Sequence, residues 1–571
     1  MLRALYPFII LICFAPTIPG IVGLLSSSLG YLPAINMHTL SWDGFNLVFE
    51  WHGVWQSIGL SLFSSMFSSY VALLLTFGIL LSCWGSRHWN KVELALSPLL
   101  ALPHVAFAIG FAFLFAPTGL LSRTLFSAFG YNANHQSVND LPILINDPYA
   151  LGLVVMLVLK EIPFLLLMSM AILKQLNIQK IEKVASSLGY NRTQMWWKVV
   201  FPQWLNKMRF PILAVIAYSL SVVDIALIIG PTNPPTFAVL VWQWFSEPEL
   251  TLLPRAAAGA MVLFLLASLL MVTARLIEWL LIQGMRSWQV SGRYGRAIAG
   301  RATLASVIFV SIIIFPLMMV WSFAQRWRFP DLIPSQFTIR YWQYEWSALF
   351  SNIQHSLSLA IASASIALIL AIVAHEYRLK HRWALPDYLI ALPMLLPQLS
   401  ILFGIQVATL YINQSSYYLW TLWAHVFFAF PFVYLALDGP WRSYDMNLTK
   451  SALSLGKSPL LVWWKIKMPI LSLSIAFAWA IGASVSLAQY LPTLMLGGGR
   501  ISTITTEAVA LSSGFDRRVT AIYALWQAIL PLLIFSFAIA IGRLNLRSRQ
   551  LSIKGLITNE SLPQKPFHSQ P

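Results

Sequence analysis

The chain is poor in charged residues and in cysteine. Lys, Arg, Asp and Glu make up only 10% of its 571 residues, whereas an ordinary soluble domain carries about 25%. The two cysteines, Cys13 and Cys83, both lie in apolar runs and offer neither a disulfide framework nor a zinc quartet. The scattered histidines include no His-x-x-x-His pair beside a glutamate. The composition argues against a soluble domain, and we expect no metal ion and no other cofactor.

Long apolar runs dominate instead, since 58% of the residues are hydrophobic. A helix needs about 20 apolar residues to cross a bilayer. The sequence therefore predicts an all-α, polytopic membrane protein with about twelve transmembrane helices. The predicted spans are residues 5–25, 58–82, 94–115, 148–172, 209–230, 256–282, 303–325, 353–375, 386–411, 417–437, 470–495 and 518–542.

The positive charge lies mainly on one side of these spans. With the N-terminus placed inside, the inside segments hold 28 lysines and arginines, the outside loops hold eight, and Lys160 falls within a span. An excess of Lys and Arg is typical of cytoplasmic loops. The pattern predicts a multi-pass protein with both termini in the cytoplasm. It also accounts for the net charge of +17 without a nucleic acid partner.

One sequence pattern occurs twice without a gap, in segments that we call loop A (residues 181–202) and loop B (448–469). Each copy has an alanine, a glycine, a Trp-Trp-Lys triplet and a closing proline at the same spacing. These are Ala185, Gly189, Trp196, Trp197, Lys198 and Pro202 in loop A, and Ala452, Gly456, Trp463, Trp464, Lys465 and Pro469 in loop B. The pattern predicts a short helix that ends at a left-handed glycine. A second helix should then begin at an Asn191 or Ser458 N-cap, with its tryptophans at the membrane interface.

Loop A resembles the Glu-Ala-Ala…Gly loop of binding-protein-dependent ABC-transporter permeases. It reads Glu182-Lys183-Val184-Ala185 before Gly189, whereas loop B reads Thr449-Lys450-Ser451-Ala452 before Gly456 and lacks the acidic residue. In this family the loop carries a coupling helix that docks into the ATP-hydrolysing subunit. The resemblance covers nearly the whole chain. It is nearest to the fused permeases of thiamine and ferric-iron importers and, within them, to an uncharacterised inner-membrane permease of enterobacteria.

The resemblance implies two parallel six-helix permease modules in one chain. Residues 1–282 would form the first module, 283–302 a cytoplasmic linker, 303–545 the second module and 546–571 a cytoplasmic tail. Gly110 after Leu102-Pro103 matches Gly404 after Leu396-Pro397, so the repeat extends beyond the loops. Parallel repeats are related by an axis along the membrane normal.

The implied function is that of the transmembrane permease subunit of an ABC importer in the bacterial inner (cytoplasmic) membrane. Its expected partners are two copies of an ABC ATPase subunit, a periplasmic substrate-binding protein and membrane lipid. The chain itself would not be an enzyme. Gly456-Lys457-Ser458 resembles the end of a phosphate loop, but Ser451 stands where a glycine is required. ATP hydrolysis would therefore belong to a separate subunit.

Several polar residues fall within predicted spans, where a charge costs about 2.5–3.5 kcal/mol. They are Lys160, Glu161 and Asp224 in the first half, and Gln398 and Gln489 in the second. We expect them along the translocation path. Alternatively, Lys160 and Glu161 hold helices together and Asp224 reaches the outer interface.

Two other functions remain open. An ion-gradient-driven secondary transporter would use Lys160, Glu161 and Asp224 as a relay, but it would not explain the two matching loops. A membrane enzyme would need a cluster of polar catalytic residues at one interface, and the sequence shows no such cluster.

Overall fold

A computed structural model describes residues 2–14, 17–87, 89–129, 144–290, 295–381, 386–410, 416–514 and 516–559. These residues are almost entirely helical. The helices up to the predicted linker are α1 (Leu2–Phe14), α2 (Thr17–Ser28), α3 (Asp43–Phe49), α4 (Val54–Cys83), α5 (Trp89–Ala101), α6 (His104–Phe115), α7 (Leu120–Phe129), α8 (Leu151–Leu176), α9 (Ile178–Ser187), α10 (Arg192–Met195), α11 (Phe201–Lys207), α12 (Arg209–Ser221), α13 (Asp224–Ile229), α14 (Phe237–Phe245) and α15 (Leu253–Val290). The later helices are α16 (Gly300–Phe323), α17 (Arg340–Lys380), α18 (Asp387–Ile390), α19 (Gln398–Thr409), α20 (Tyr417–Ser443), α21 (Met446–Ser454), α22 (Pro459–Val462), α23 (Met468–Ile470), α24 (Ser472–Ala488), α25 (Leu491–Gly497), α26 (Ile504–Ser512) and α27 (Arg517–Asn559).

Short irregular elements complete the chain. Two π-helical turns, Trp196–Val200 and Trp463–Lys467, lie at matching places in loops A and B. Strand β1 (Ala324–Arg326) pairs antiparallel with β2 (Gln336–Phe337). In the described ranges, 3-10 turns lie at Pro33–Ile35, Leu250–Leu252 and Leu392–Met394.

The all-α, polytopic architecture is confirmed. In the described part of the chain, nine helices are long and apolar enough to cross a membrane, or ten if one bent pair counts as a single span. The predicted spans 209–230, 386–411 and 470–495 contain interrupted helices, because α12 and α19 are short and the helices on either side of Leu471 meet at 76°. The count of twelve therefore stays a prediction.

The two halves repeat in structure as well as in sequence. At one constant separation, α10 matches α22, α13 matches α25 and α14 matches α26. The first half breaks between α12 and α13 at Val222, with φ −67° and ψ 125°, and the second breaks at Gln489, with φ −74° and ψ 121°. The break is thus a shared feature of the two halves.

The first helices of the two halves cross over. Helix α2 packs along α19 of the second half, and α16 packs on α4 and α6 of the first. A methyl group on Gly404 of α19 would overlap the carbonyl of Gly20, and one on Gly110 of α6 would overlap Ile314 of α16. The repeated glycines of the sequence therefore lie where each half receives the first helix of the other.

Helix α15 continues to Val290 and α16 begins at Gly300, so both ends of the predicted linker 283–302 are helical. Its residues 291–294 lie outside the described ranges. Helix α27 extends to Asn559, and the predicted tail is helical up to that point. Residues 560–571 of the tail lie outside the described residues, and the module boundaries remain predictions.

Candidate functional site

Loop A forms the predicted helix, turn and helix. Gly189 adopts a φ of +75°, and the N–H of Tyr190 donates to the carbonyl of Ala185 at 3.0 Å. The side chain of Asn191 accepts from the N–H of Gln194, whose own side chain accepts from the N–H of Asn191. This reciprocal capping box fixes the start of α10. The left-handed glycine and the Asn191 N-cap are confirmed.

Loop B repeats this turn with different capping. Gly456 has a φ of +77°, and the N–H of Lys457 donates to the carbonyl of Ala452 at 3.4 Å. Ser458 occupies the N-cap position with Pro459 in the first turn, but the Ser458 hydroxyl makes no capping hydrogen bond. The turn is confirmed, whereas the expected side-chain cap is wrong because the extended Ser458 and the proline ring begin α22 without it.

Each loop buries one side chain and exposes apolar ones. Ala185 and Ala452, the repeated alanines, are 5% and 6% exposed. In loop A, Val184 and Leu188 are exposed, and the carboxylate of Glu182 lies on the exposed surface of α9. In loop B the large exposed apolar residues are Leu448, Leu453, Leu455, Leu460, Leu461 and Trp464. Contiguous exposed apolar surface marks an interaction site.

The tryptophans do not all lie at an interface. Trp196 is 1% exposed, and its ring lies 6.0 Å from that of Phe77 on α4. Trp197 lies 4.9 Å from the same ring, and its indole N–H donates to the carbonyl of Arg296 at 2.7 Å. The predicted interfacial position is wrong for Trp196, because Phe77 offers it an apolar contact inside the protein. Among the four, Trp464 is the most exposed, at 58%.

Loop B is held to α17 by a carboxylate that the sequence analysis did not single out. Oε1 of Glu376 accepts from the indole N–H groups of Trp441 at 3.1 Å and Trp463 at 3.2 Å. It also lies 2.5 Å from Nζ of Lys467. Glu376 is 9% and Lys467 4% exposed. An acidic residue directly after the predicted span 353–375 was the available signal.

Loop A is held differently, by residues of the predicted linker 283–302, which we call the joining segment. Nζ of Lys198 donates to the carbonyl of Trp288 at 2.9 Å, and Trp197 donates to Arg296. A methyl group on Gly295 would press against the backbone of Gln194. The joining segment therefore lies directly against loop A.

The closing proline of each loop lies in the first turn of the next helix. Pro202 is in the first turn of α11 and Pro469 in the first turn of α23. The chain bends after them, at Met208 and at Leu471, where α12 and α24 begin. Each loop thus continues directly into the helix that later breaks near the centre of its half.

Lys160 is buried, and its ammonium group bonds to the backbone of a neighbouring helix. Its Nζ donates to the carbonyls of Leu102 at 2.6 Å and Leu99 at 3.2 Å, and the residue is 6% exposed. The Leu99 carbonyl lies in the last turn of α5, and the Leu102 carbonyl lies in the break between α5 and α6. The contact agrees with the reading in which Lys160 holds helices together. Glu161 is 4% exposed, and its carboxylate lies 3.9 Å from Nε2 of His104.

Asp224 and Gln489 lie at the two helix breaks. Asp224 is the half-buried first residue of α13, and its Oδ1 accepts from the N–H of Ile225 at 3.0 Å. Gln489 is buried, and its amide N–H donates to the carbonyl of His425 at 3.3 Å. Gln398 is the half-buried first residue of α19.

His425, a polar residue within the predicted span 417–437, forms a buried network around the second break. Its ring nitrogens lie 2.7 Å from Oγ of Ser486 and 2.9 Å from Oγ1 of Thr493. The positions of the first half that match Gln489 and Thr493 are Val222 and Ala226. The second break is therefore fixed by side-chain hydrogen bonds, whereas the first half keeps only a serine, Ser219, at the place of Ser486 and has apolar residues at the places of Gln489 and Thr493.

Comparison with known proteins identifies the family. No family model matches the chain. It is 30% identical over 532 residues to the inner membrane ABC transporter permease protein YnjC of Escherichia coli (strain K12), covering 93% of this chain and 94% of the relative. It is 25% identical over 155 residues to the spermidine/putrescine transport system permease protein PotC of the same strain, covering 54% of the relative. A putative 2-aminoethylphosphonate transport system permease protein, PhnV of Salmonella typhimurium, is 26% identical over 218 residues. The chain therefore belongs to the family of inner membrane ABC-transporter permeases.

Proposed function

We propose that this permease subunit of an ABC importer couples transport to a separate ATPase through loops A and B. The observation that carries the proposal is the duplicated turn. Both loops contain a glycine at positive φ, a buried alanine four residues earlier and exposed large apolar side chains around it. Exposed apolar residues of this size favour a protein partner. The duplication gives one docking surface to each of two ATPase subunits.

The partners and orientation follow from the same proposal. Both loops and both termini would lie in the cytoplasm, where the excess of Lys and Arg favours them. A periplasmic substrate-binding protein would deliver cargo on the opposite side. The chain would carry no nucleotide site of its own, and lipid would surround its spans.

Movement of the loops would be transmitted to the translocation path through rigid contacts between helices. A movement of loop B acts on α17 through Glu376 and on α24 through the bend at Leu471. A movement of loop A acts on α12 and on the joining segment that it contacts. Because α12 and α24 lead directly to the breaks at Val222 and Gln489, the loops and the breaks would move together.

The translocation path would lie between the halves, near the two breaks. The ring of Trp242 on α14 lies 6.4 Å from that of Tyr490 beside the second break, which brings the halves together there. Asp224 and Gln489 are the path residues that we retain, with Glu161 and Gln398 as further candidates. Lys160 is better explained by its bonds to carbonyls, so a proton relay through it is not proposed. The names of the relatives give different cargoes, and none is assigned to this chain.

A graded series at Gly456 tests the coupling role. A Cβ there would meet no atom within 4 Å, so the strain comes from the left-handed backbone alone and costs about 1–2 kcal/mol. Asn tolerates that conformation better than Ala, and β-branched Val tolerates it least. We expect transport-coupled ATP hydrolysis of the reconstituted complex to fall in the order Gly456→Asn, Gly456→Ala, Gly456→Val.

The double variant Gly189→Val with Gly456→Val should abolish coupling while the purified permease stays folded. Glu182→Ala is the matched control in loop A, and we expect a smaller defect because loop B works without an acid at that place. Wild-type transport by the double variant would refute the docking role. Transport that follows an ion gradient without ATP would support the secondary transporter instead.

A further inference from the structure

A polar cavity lies where three parts of the chain meet. It has a volume of about 370 Å³, is open on one side, and lies between the end of α4, the start of α10 in loop A and the start of α16. Its lining residues are Leu81, Ser82, Ser86, Arg192, Ile298, Ala299, Gly300 and Arg301. Among the described residues, the lining contains two guanidinium groups and two hydroxyls but no carboxylate. Such a cavity favours an anion.

Arg192 is fixed in the wall of the cavity. Its Nε donates to the carbonyl of Leu81 at 3.2 Å, and its Nη2 donates to that of Trp84. These bonds use one edge of the guanidinium and leave the Nη1 edge for a ligand. Arg301 is exposed in the first turn of α16, so the second guanidinium adds its charge at the mouth. Oγ of Ser86 is buried and has no hydrogen-bond partner among the described atoms.

The position of the cavity between the ends of two spans indicates the source of the anion. Helix α4 ends at Cys83 and α16 begins at Gly300, and both are membrane-spanning candidates. A cavity between the ends of two spans lies at the level of the lipid headgroups. The rings of Trp84 and Trp89, 4.6 Å apart, lie in the same short stretch, and tryptophan is enriched at that depth.

We propose that this cavity binds the phosphate of an anionic phospholipid headgroup. Guanidinium groups match the geometry of phosphate oxygens, and basic pockets between the ends of spans suit acidic headgroups. Because Arg192 begins α10 and Arg301 lies in the joining segment, the bound lipid contacts loop A and the joining segment together. Pro459 occupies the place of Arg192 in loop B, so loop B has no arginine that could form a matching site.

The test uses the full-length chain in nanodiscs of phosphatidylcholine with added phosphatidylglycerol, with bound lipid counted by native mass spectrometry. Arg301→Gln should weaken phosphatidylglycerol binding by about tenfold, the scale of one charge-assisted hydrogen bond. Arg286→Gln removes an exposed arginine of α15 that does not line the cavity and should leave binding unchanged. Ser86→Ala should weaken it by a smaller factor.

Equal lipid retention by the Arg301→Gln and Arg286→Gln variants would overturn the proposal. Arg192→Gln is a second variant, read only if its thermal unfolding matches the wild type, because Arg192 also holds the end of α4. Inorganic phosphate is the soluble probe. If phosphate binds at the two arginines and phosphatidylglycerol shows no preference over phosphatidylcholine, the lipid assignment is wrong.

Discussion

Removing the charge of Glu376 tests whether loop B is held by a buried ion pair. The Glu376 and Lys467 side chains are 12% and 5% exposed and lie 2.5 Å apart. The ammonium group of Lys467 also lies over the rings of Trp441, at 5.4 Å, and Tyr444, at 5.2 Å. Glu376→Gln keeps an oxygen that can accept from the indoles but leaves the ammonium without its counter-charge.

The expected loss is large because one buried charge is left alone. Removing one partner of a buried pair costs about 3–5 kcal/mol, whereas replacing both with apolar groups is often neutral. Glu376→Gln and Lys467→Met should each lower the free energy of unfolding by that amount. The double variant should lose much less than the sum of the two, with a coupling energy of at least about 2 kcal/mol.

Denaturant unfolding of the purified full-length chain, followed by tryptophan fluorescence, measures these differences. Asp438→Asn is a matched control, because Asp438 forms a more exposed pair with Arg442 at 2.8 Å on the same side of the second half. We expect a loss of at most about 1 kcal/mol there. Additive losses at Glu376 and Lys467, or single losses no larger than that of the control, would refute the reasoning.

Three further changes test other contacts. Asp224→Asn should weaken cargo-stimulated ATP hydrolysis by about tenfold without changing the amount of ATPase bound, and an unchanged rate would return Asp224 to a structural role. Gly404→Val should destabilise the chain by at least about 1–3 kcal/mol, because the new side chain overlaps the carbonyl of Gly20. Wild-type stability in a thermal unfolding assay would contradict the packing of α2 along α19. Lys160→Met should cost about 1–3 kcal/mol, because Leu102 loses its donor, while transport per folded molecule is retained; lost transport at normal stability would place Lys160 in the path.

The turn of each loop was predictable because it depends on local chemistry. Gly189 and Gly456 supply the positive φ, and Asn191 caps the next helix through a residue only three positions away. Pro459 suits a first helical turn wherever the chain lies in the molecule. The same residues carry the resemblance to ABC-transporter permeases, and the relatives of the chain confirm that family.

The anchors of the loops were not predictable, because their partners are distant in sequence. Glu376 meets Trp463 and Lys467 only after α17 packs beside α20 and α24. Trp196 is buried because Phe77 lies against it, and amphipathic patterning cannot separate a protein contact from a lipid contact. The breaks at Val222 and Gln489 interrupt apolar runs without a proline or glycine at the break itself. Hydropathy alone therefore reads these runs as continuous spans.

The exchange of α2 and α16 between the two halves has a consequence for how such a protein can evolve. Helix α2 of the first half packs against α19 of the second half, and α16 of the second half packs against α4 and α6 of the first. The backbones of Gly404 and Gly20 lie so close that a methyl group on Gly404 would overlap the carbonyl of Gly20. A bulky residue on either side of that contact requires a compensating change in the opposite half. Covalent fusion keeps the two partners in one gene, so both are inherited together and made in equal number.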